Sequence, residues 1–309
     1  MLVPTVIRNI LGLIGLPFTA WNVTMDRINR VTPPGKIVKT KHSDVHVMVT
    51  GDGPVTVILE AGFSSISIDW CYVQPEISKV ARVISYDRGN YGWSRTERKT
   101  MTSLDSVEEI REVLDKLDVK PPFVLVGHSF GGLSMRLFAS MYPDDVIGVV
   151  LEDAAHENQY IDSEENQKRR RNFKRLVTFG YLTSLVGIPR MLRQRIGRKF
   201  LAKEYDASLK YIGYTLGSYQ SAYMEYLDSV TSANQLMQAK PLPKEMPVIV
   251  ISAKNQPEEW KKNQQNLSKL TEQTEQVEVE TGHSVHLENP QIVIDSILKM
   301  VSLVKQTNQ

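Results

Sequence analysis

The stretch that most constrains this chain is Phe123-Val124-Leu125-Val126-Gly127-His128-Ser129-Phe130-Gly131-Gly132-Leu133-Ser134-Met135-Arg136. A short apolar run predicts a buried strand, an apolar-patterned helix follows the glycines, and G-x-S-x-G lies between them. A serine hydroxyl is a poor nucleophile. To act as one it must be held at a strand end, within reach of a base and of backbone N–H donors. A sharp strand-to-helix turn does this, and it requires Gly127 and Gly131 where a Cβ would meet neighbouring backbone. By composition, a chain of this length carries the bare pattern about once in fifteen cases. The strand before it and the helix after it supply the context that the motif needs.

Around this turn the chain reads as alternating strands and helices. Lys36 to Thr40 and Val45 to Thr50 predict an antiparallel hairpin after the Pro33-Pro34-Gly35 turn. Val55 to Glu60 reads as a strand buried on both faces, running into Ala61-Gly62-Phe63-Ser64-Ser65. A helix over Trp70 to Val80, a strand over Arg82 to Tyr86, and a helix over Leu104 to Leu117 follow. After the G-x-S-x-G helix, Val146 to Leu151 is a further buried strand, ending in Glu152-Asp153. Strands separated by helices imply a parallel sheet with right-handed crossovers.

The alternation breaks from about residue 156 to 243, where the pattern is helical. An insertion of that size is too long for a plain loop and reads as a helical lid after the sixth strand. Strand, helix and strand resume at Val248 to Ser252, Glu258 to Leu270 and Val277 to Glu280, and Ile292 to Val304 is the last helix. The expected organisation is an apolar N-terminal segment and linker over 1–34, an α/β core from 35–155 and 244–309, and the lid over 156–243. Phe179, Tyr181, Leu182, Leu185 and Met191 either line an acyl pocket or pack on the core.

A net charge of +2 and the absence of a basic stripe with interleaved aromatics exclude a nucleic-acid footprint. The single cysteine, Cys71, rules out an intrachain disulfide and a cysteine-based zinc site. Residues 2–21 are apolar and about long enough to span a bilayer, but Arg8, Asn9 and Pro17 interrupt them. Ile7, Ile10, Leu11, Ile14 and Phe18 share one face of a continuous helix. That suits a segment lying against a membrane, or one packed on the protein's own surface in a cytoplasmic chain.

Acyl transfer through serine requires a base, a carboxylate to orient it, and donors aimed at the developing oxyanion. Among six histidines, His283 follows the last strand and completes the chain order Ser, Asp, His, with His286 on the same loop as the alternative. For the acid, Asp153 ends the strand after the G-x-S-x-G helix. Glu258 is the alternative, at a helix start where the dipole favours acidic residues in any case.

Four motifs in order resemble the α/β-hydrolase superfamily, and in particular its bacterial serine hydrolases. They are Leu59-Glu60-Ala61-Gly62, the Tyr-Asp-Arg-x-x-x-Gly-x-Ser loop from Tyr86 to Ser94, the Val-Gly-His-Ser-x-Gly-Gly turn, and Gly282-His283-Ser284-Val285-His286-Leu287. The resemblance implies the hydrolase fold, with a mostly parallel sheet flanked by helices, and a small-molecule ester or amide substrate. It implies no metal and no organic cofactor. It also implies that the backbone N–H groups of Phe63 and Phe130 form the oxyanion hole, and it raises the expectation of an N-terminal membrane segment. Peptidase, thioesterase and acyltransferase chemistry run on the same scaffold, and a ligand receptor with a vestigial pocket is the non-enzymatic alternative. Asp87 and Arg88 are expected to pair with each other and tie the loops together. Epoxide hydrolases and dehalogenases usually attack with a carboxylate, whereas this turn presents serine.

Overall fold

The computed structural model describes residues 2–160, 164–197 and 201–307. Helices α1 (Leu2–Ile14) and α2 (Leu16–Ile28) precede a nine-stranded sheet. The strands are β1 (Lys36–Lys39), β2 (Ser43–Thr50), β3 (Thr56–Glu60), β4 (Arg82–Tyr86), β5 (Arg95–Thr96), β6 (Phe123–His128), β7 (Val146–Glu152), β8 (Val248–Ala253) and β9 (Thr274–Val279). Their order is β1-β2-β4-β3-β6-β7-β8-β9, with the two-residue β5 on β2. Pairings of β2 with β1, β4 and β5 are antiparallel, and β4-β3-β6-β7-β8-β9 is parallel throughout. Strands β3, β6, β7 and β8 are apolar along nearly their whole length because helices cover both faces.

The covering helices are α3 (Gln74–Ile77), α4 (Ser103–Lys116) and α5 (Gly131–Met141), and beyond the insertion α10 (Glu258–Leu267), α11 (Val285–Glu288) and α12 (Pro290–Thr307). One core lies between the sheet and α4 and α5, around Ile58, Leu125, Ile110 and Phe138. The other lies beneath α3 and α12, around Val57, Val126, Ile77 and Ile297. Thr102 caps α4 in a reciprocal capping box with Asp105. The helix expected over Trp70–Val80 is instead a 3₁₀ turn at Ser67–Trp70 followed by the one-turn α3. Pro75, which has no N–H to donate, sits at the start of α3.

Between β7 and β8 the chain builds α6 (Glu164–Thr183), α7 (Ile188–Met191), α8 (Asp206–Ile212) and α9 (Leu216–Gln238). They lie over the C-terminal end of the sheet.

The N-terminal segment is not one helix with a continuous apolar face. It bends by 99° at Gly15, so Phe18 leaves the face of Ile7, Ile10 and Ile14. Pro17 stands in the first turn of α2, where it starts a helix rather than continuing one. Helix α1 packs on α6. Tyr181 Oη lies 2.9 Å from Thr5 Oγ1, accepts a 3.1 Å bond from Arg8 Nη1, and its ring stacks on Tyr223. On α2, Asn22 Nδ2 donates to the Ser184 carbonyl, and Asp26 pairs with Arg190. Among the described residues no single helix is long and apolar enough to cross a membrane, although α1 and α2 together reach that length and composition.

Candidate active site

The parallel register of β6 and β7 sets His128 opposite Glu152, so Ser129 and Asp153 leave adjacent strand ends side by side. Ser129 N donates to the Glu152 carbonyl (3.1 Å), and the Ser129 carbonyl accepts from Ala155 N (2.9 Å). Ser129 sits at φ +50°, a conformation that L residues rarely adopt and that a strand-to-helix turn of this sharpness imposes. A Cβ on Gly131 would lie 2.5 Å from the Glu60 carbonyl oxygen and 2.7 Å from that of Ala61. A Cβ on Gly127 would lie 2.7 Å from Gly132 Cα. Both contacts are with backbone, which cannot move aside.

His283 stands on the loop after β9. Its Nδ1 is 2.6 Å from Asp153 Oδ2 and its Nε2 is 2.8 Å from Ser129 Oγ. A carboxylate only accepts, so Nδ1 carries the proton and the lone pair of Nε2 is directed at the serine hydroxyl. Asp153 is fully buried, also at positive φ (+39°), and its Oδ1 accepts from Ala253 N (3.1 Å) and Trp260 Nε1 (2.9 Å). The Trp260 ring stands edge-on to His283 at 5.0 Å. Nothing in the sequence marks Trp260 for this role, since its partner Asp153 lies 107 residues away on another strand end. Glu258, the alternative acid, is not part of this series: its side chain is 90% exposed and pairs with Lys261. It belongs to the first turn of α10, on the face that points to solvent, while Trp260 in the same turn faces Asp153.

His286 does not reach the serine either. Its Nδ1 lies 2.6 Å from Glu152 Oε1, and its backbone N–H donates to the same oxygen. His128 Nε2 donates to the His283 carbonyl (3.0 Å), and its ring touches both His283 and His286. His128, Glu152 and His286 thus form a buried layer directly beneath the Ser129–His283–Asp153 series, each within three residues of one of its members. Among the described residues, theirs is the group whose ligand atoms, all within 4.8 Å of one another, come close enough to hold a metal ion.

On the other side of Ser129 lies Phe63, after Gly62. Neither the Phe63 nor the Phe130 N–H donates to a protein acceptor among the described residues. The Gly62 carbonyl, which shares its peptide with the Phe63 N–H, accepts from Arg88 Nη2 (2.9 Å), and Ala61 O accepts from Arg88 Nη1 (2.6 Å). Arg88 is buried between Glu60 and Glu225 of α9; its Nε and Nη2 donate to Glu225 Oε1 at 3.0 and 2.8 Å. The expected Asp87–Arg88 pair is therefore absent. Neighbouring side chains on one extended segment point opposite ways, and Asp87 binds His46 Nδ1 (2.9 Å) and the N–H groups of Ser67 and Trp93. Burial works to raise the Asp87 carboxyl, but the charge and hydrogen bond of His46 with the two N–H donors hold it below the usual carboxylate range. Burial pushes Glu60 up to about 7 against the pull of Arg88. Against the two carboxylates, Arg88 stays charged, its acidity held below that of a free guanidinium.

A cavity of about 1360 Å³ opens between Ser129 and the helical insertion. On α6 it is lined by Arg169, Arg170, Phe173, Leu176, Val177 and Gly180, spaced along one helical face. None of Phe179, Tyr181, Leu182, Leu185 and Met191 reaches it. Tyr181 and Leu182 pack instead in a cluster with Val177, Tyr223 and Tyr226, and α1 occupies the Tyr181 face.

A family model described as the alpha/beta hydrolase fold matches residues 55–290. Protein YqjL of Bacillus subtilis is 35% identical over 105 residues, which are 34% of this chain and 42% of YqjL. YbdG of the same species is 25% identical over 227 residues, 71% of this chain and 68% of YbdG. The solved structure of a thermophilic esterase from Thermogutta terrifontis superposes with a TM-score of 0.62 at 19% identity, covering 87% of this chain and 97% of that one. Epoxide hydrolase and enol-lactonase are names found among the other matches, and likeness to solved structures at such identities shows the fold alone.

Gly131→Ala should cost about 1–3 kcal/mol of stability, the usual penalty of overpacking a rigid site. Denaturant titration reads it as a lowered midpoint. An unchanged midpoint would mean that the Glu60–Ala61 backbone yields where the structure shows it closed.

Proposed function

The chain belongs to the alpha/beta hydrolase fold family, and from that premise we propose that it is a serine hydrolase that cleaves carboxylic esters through an acyl-enzyme. One observation carries the reading: His283 bridges Ser129 Oγ (2.8 Å) and Asp153 Oδ2 (2.6 Å) at the floor of a large apolar cavity. His283 takes the serine proton as Oγ attacks the ester carbonyl. Asp153, whose Oδ1 is saturated by Ala253 and Trp260, holds the imidazole in the required tautomer and stabilises the imidazolium.

The tetrahedral oxyanion is received by the N–H groups of Phe63 and Phe130. Arg88 polarises and orients the Gly62–Phe63 peptide through its carbonyl. His283 then returns its proton to the leaving alcohol. Water, deprotonated by the same imidazole, releases the acid and restores Ser129.

On this reading Ser129→Ala and His283→Ala lower kcat on a short-chain 4-nitrophenyl ester at least about 10³-fold, and Asp153→Asn about 10²–10⁴-fold. Glu258→Gln stays within twofold of wild type. Activity that survived Ser129→Ala would refute the acyl-enzyme, and a collapse in Glu258→Gln would reassign the acid.

Helices α1 and α2 are proposed to lie against a membrane. Leu2, Leu13, Ile14 and Leu16 are exposed, and Leu176 and Phe179 are exposed on α6, the helix that α1 packs on. Arg8, which would be costly in lipid, is turned inward onto Tyr181. In flotation with vesicles of phosphatidylcholine and phosphatidylglycerol, wild type should rise with the lipid and a Leu13→Ser/Ile14→Ser variant should not. These side chains are exposed, so folding is spared. Equal flotation of the two, or no flotation of wild type, would contradict membrane contact.

A further inference from the structure

The cavity above Ser129 is walled by aromatic and aliphatic side chains, which alone would describe a site for a neutral chain. Its charged lining is one-sided. Among the described residues, Arg169, Arg170, Arg193, Arg195 and Lys210 face it against one carboxylate, Glu259, which Arg169 already approaches at 3.6 Å. Arg193, Arg195 and Lys210 meet no carboxylate within ion-pair distance among the described residues. The Arg170 guanidinium meets Tyr226, but its buried Nε has no hydrogen-bond acceptor among the described residues, and it lies on the same helical face as Phe173, Leu176 and Val177. A buried guanidinium N–H left without an acceptor is costly, and it marks a place where an acceptor is to be supplied.

Along α6 the cavity wall thus begins with guanidinium groups at 169 and 170. It becomes apolar over the next ten residues, about 15 Å of helix at 1.5 Å per residue. Arg169 already donates to the Gln159 carbonyl and Asn166 Oδ1, but a neutral ester would fill the apolar length and leave the charges of Arg170, Arg193, Arg195 and Lys210 without a counter-charge. A polar but uncharged head would supply acceptors without offsetting the positive field of the wall.

Resting on the ester-hydrolase reading, we infer that the substrate is an anionic amphiphile: a carboxylic ester that carries an apolar chain and, elsewhere in the same molecule, a phosphate or carboxylate group. Arg170 on α6 and the group of Arg193, Arg195 and Lys210 beyond that helix offer two placements for that charge. Arg170 serves an anion near the ester, on the alcohol side, and Arg193, Arg195 and Lys210 serve one at the end of the acyl chain. The shared chemistry is the negative charge.

The test uses the full chain and two matched pairs of soluble esters below their aggregation thresholds. One pair is the 4-nitrophenyl monoester of an eight-carbon dicarboxylic acid against 4-nitrophenyl octanoate. The other is a 1-acylglycerol phosphate against the same 1-acylglycerol. In at least one pair the anionic member should have a kcat/KM about tenfold higher, the value of one charge-assisted contact. That advantage should shrink as ionic strength rises from about 0.05 to about 0.5 M.

Loss of the ratio in Arg170→Gln would assign the anion to the alcohol side. Loss in Arg193→Gln/Arg195→Gln would assign it to the acyl end. Ratios at or below one in both pairs, with all four esters turned over, would overturn the inference and leave the ester-hydrolase reading standing. Failure to hydrolyse any of the four would overturn that reading and this inference with it.

Discussion

Everything at this site depends on the pairing of two parallel strands. Because His128 lies opposite Glu152, the residues that follow them, Ser129 and Asp153, emerge together at the C-terminal edge of the sheet, both at positive φ. The Ser129 N–H donating to the Glu152 carbonyl and the Asp153 N–H donating to Ile251 O (2.7 Å) lock the two ends to the next strands. A slip of one residue would turn both side chains to the opposite face and separate them. Close packing of the buried side chains on both faces of β6, β7 and β8 opposes that slip. His283 completes the series because β9 ends on the same edge.

The second constraint is a buried charge. Arg88 holds the carbonyls of Ala61 and Gly62 while Glu60 and Glu225 hold Arg88. Such a group is weak support for stability, since desolvation offsets most of the attraction. What it supplies is geometry: the guanidinium fixes the peptide plane next to the serine, and one of its anchors, Glu225, comes from the helical insertion. The cavity roof and the loop beside the serine are therefore mechanically one unit.

The parts legible in the sequence were those whose chemistry is local. The strand-turn-helix at Ser129 shows itself through glycines that backbone contacts require. The alternation of strands and helices shows itself in the apolar runs, whereas the two-residue β5 leaves no periodic signal and the helix expected over Trp70–Val80 shrinks to a 3₁₀ turn and the one-turn α3, with Pro75 at its start. Asp153 and Glu258 could not be separated by reading. Both stand at plausible element ends, and only the sheet's three-dimensional edge turns one toward His283 and the other to solvent.

Long-range partners were invisible for the same reason. Glu225 lies 137 residues from Arg88, and Asp87 takes His46 rather than its neighbour. Helix phase was the remaining gap. The α6 face that meets the cavity was decided by α1 docking on Tyr181, a contact between segments 173 residues apart or more.

The central claim is that Ser129 is an activated nucleophile, and covalent labelling with a fluorophosphonate followed by peptide mass mapping tests it most directly. The account predicts close to one label per folded chain, carried on the peptide containing Ser129 and abolished in His283→Ala. A folded protein that takes up no label, or one labelled at another residue, would contradict it.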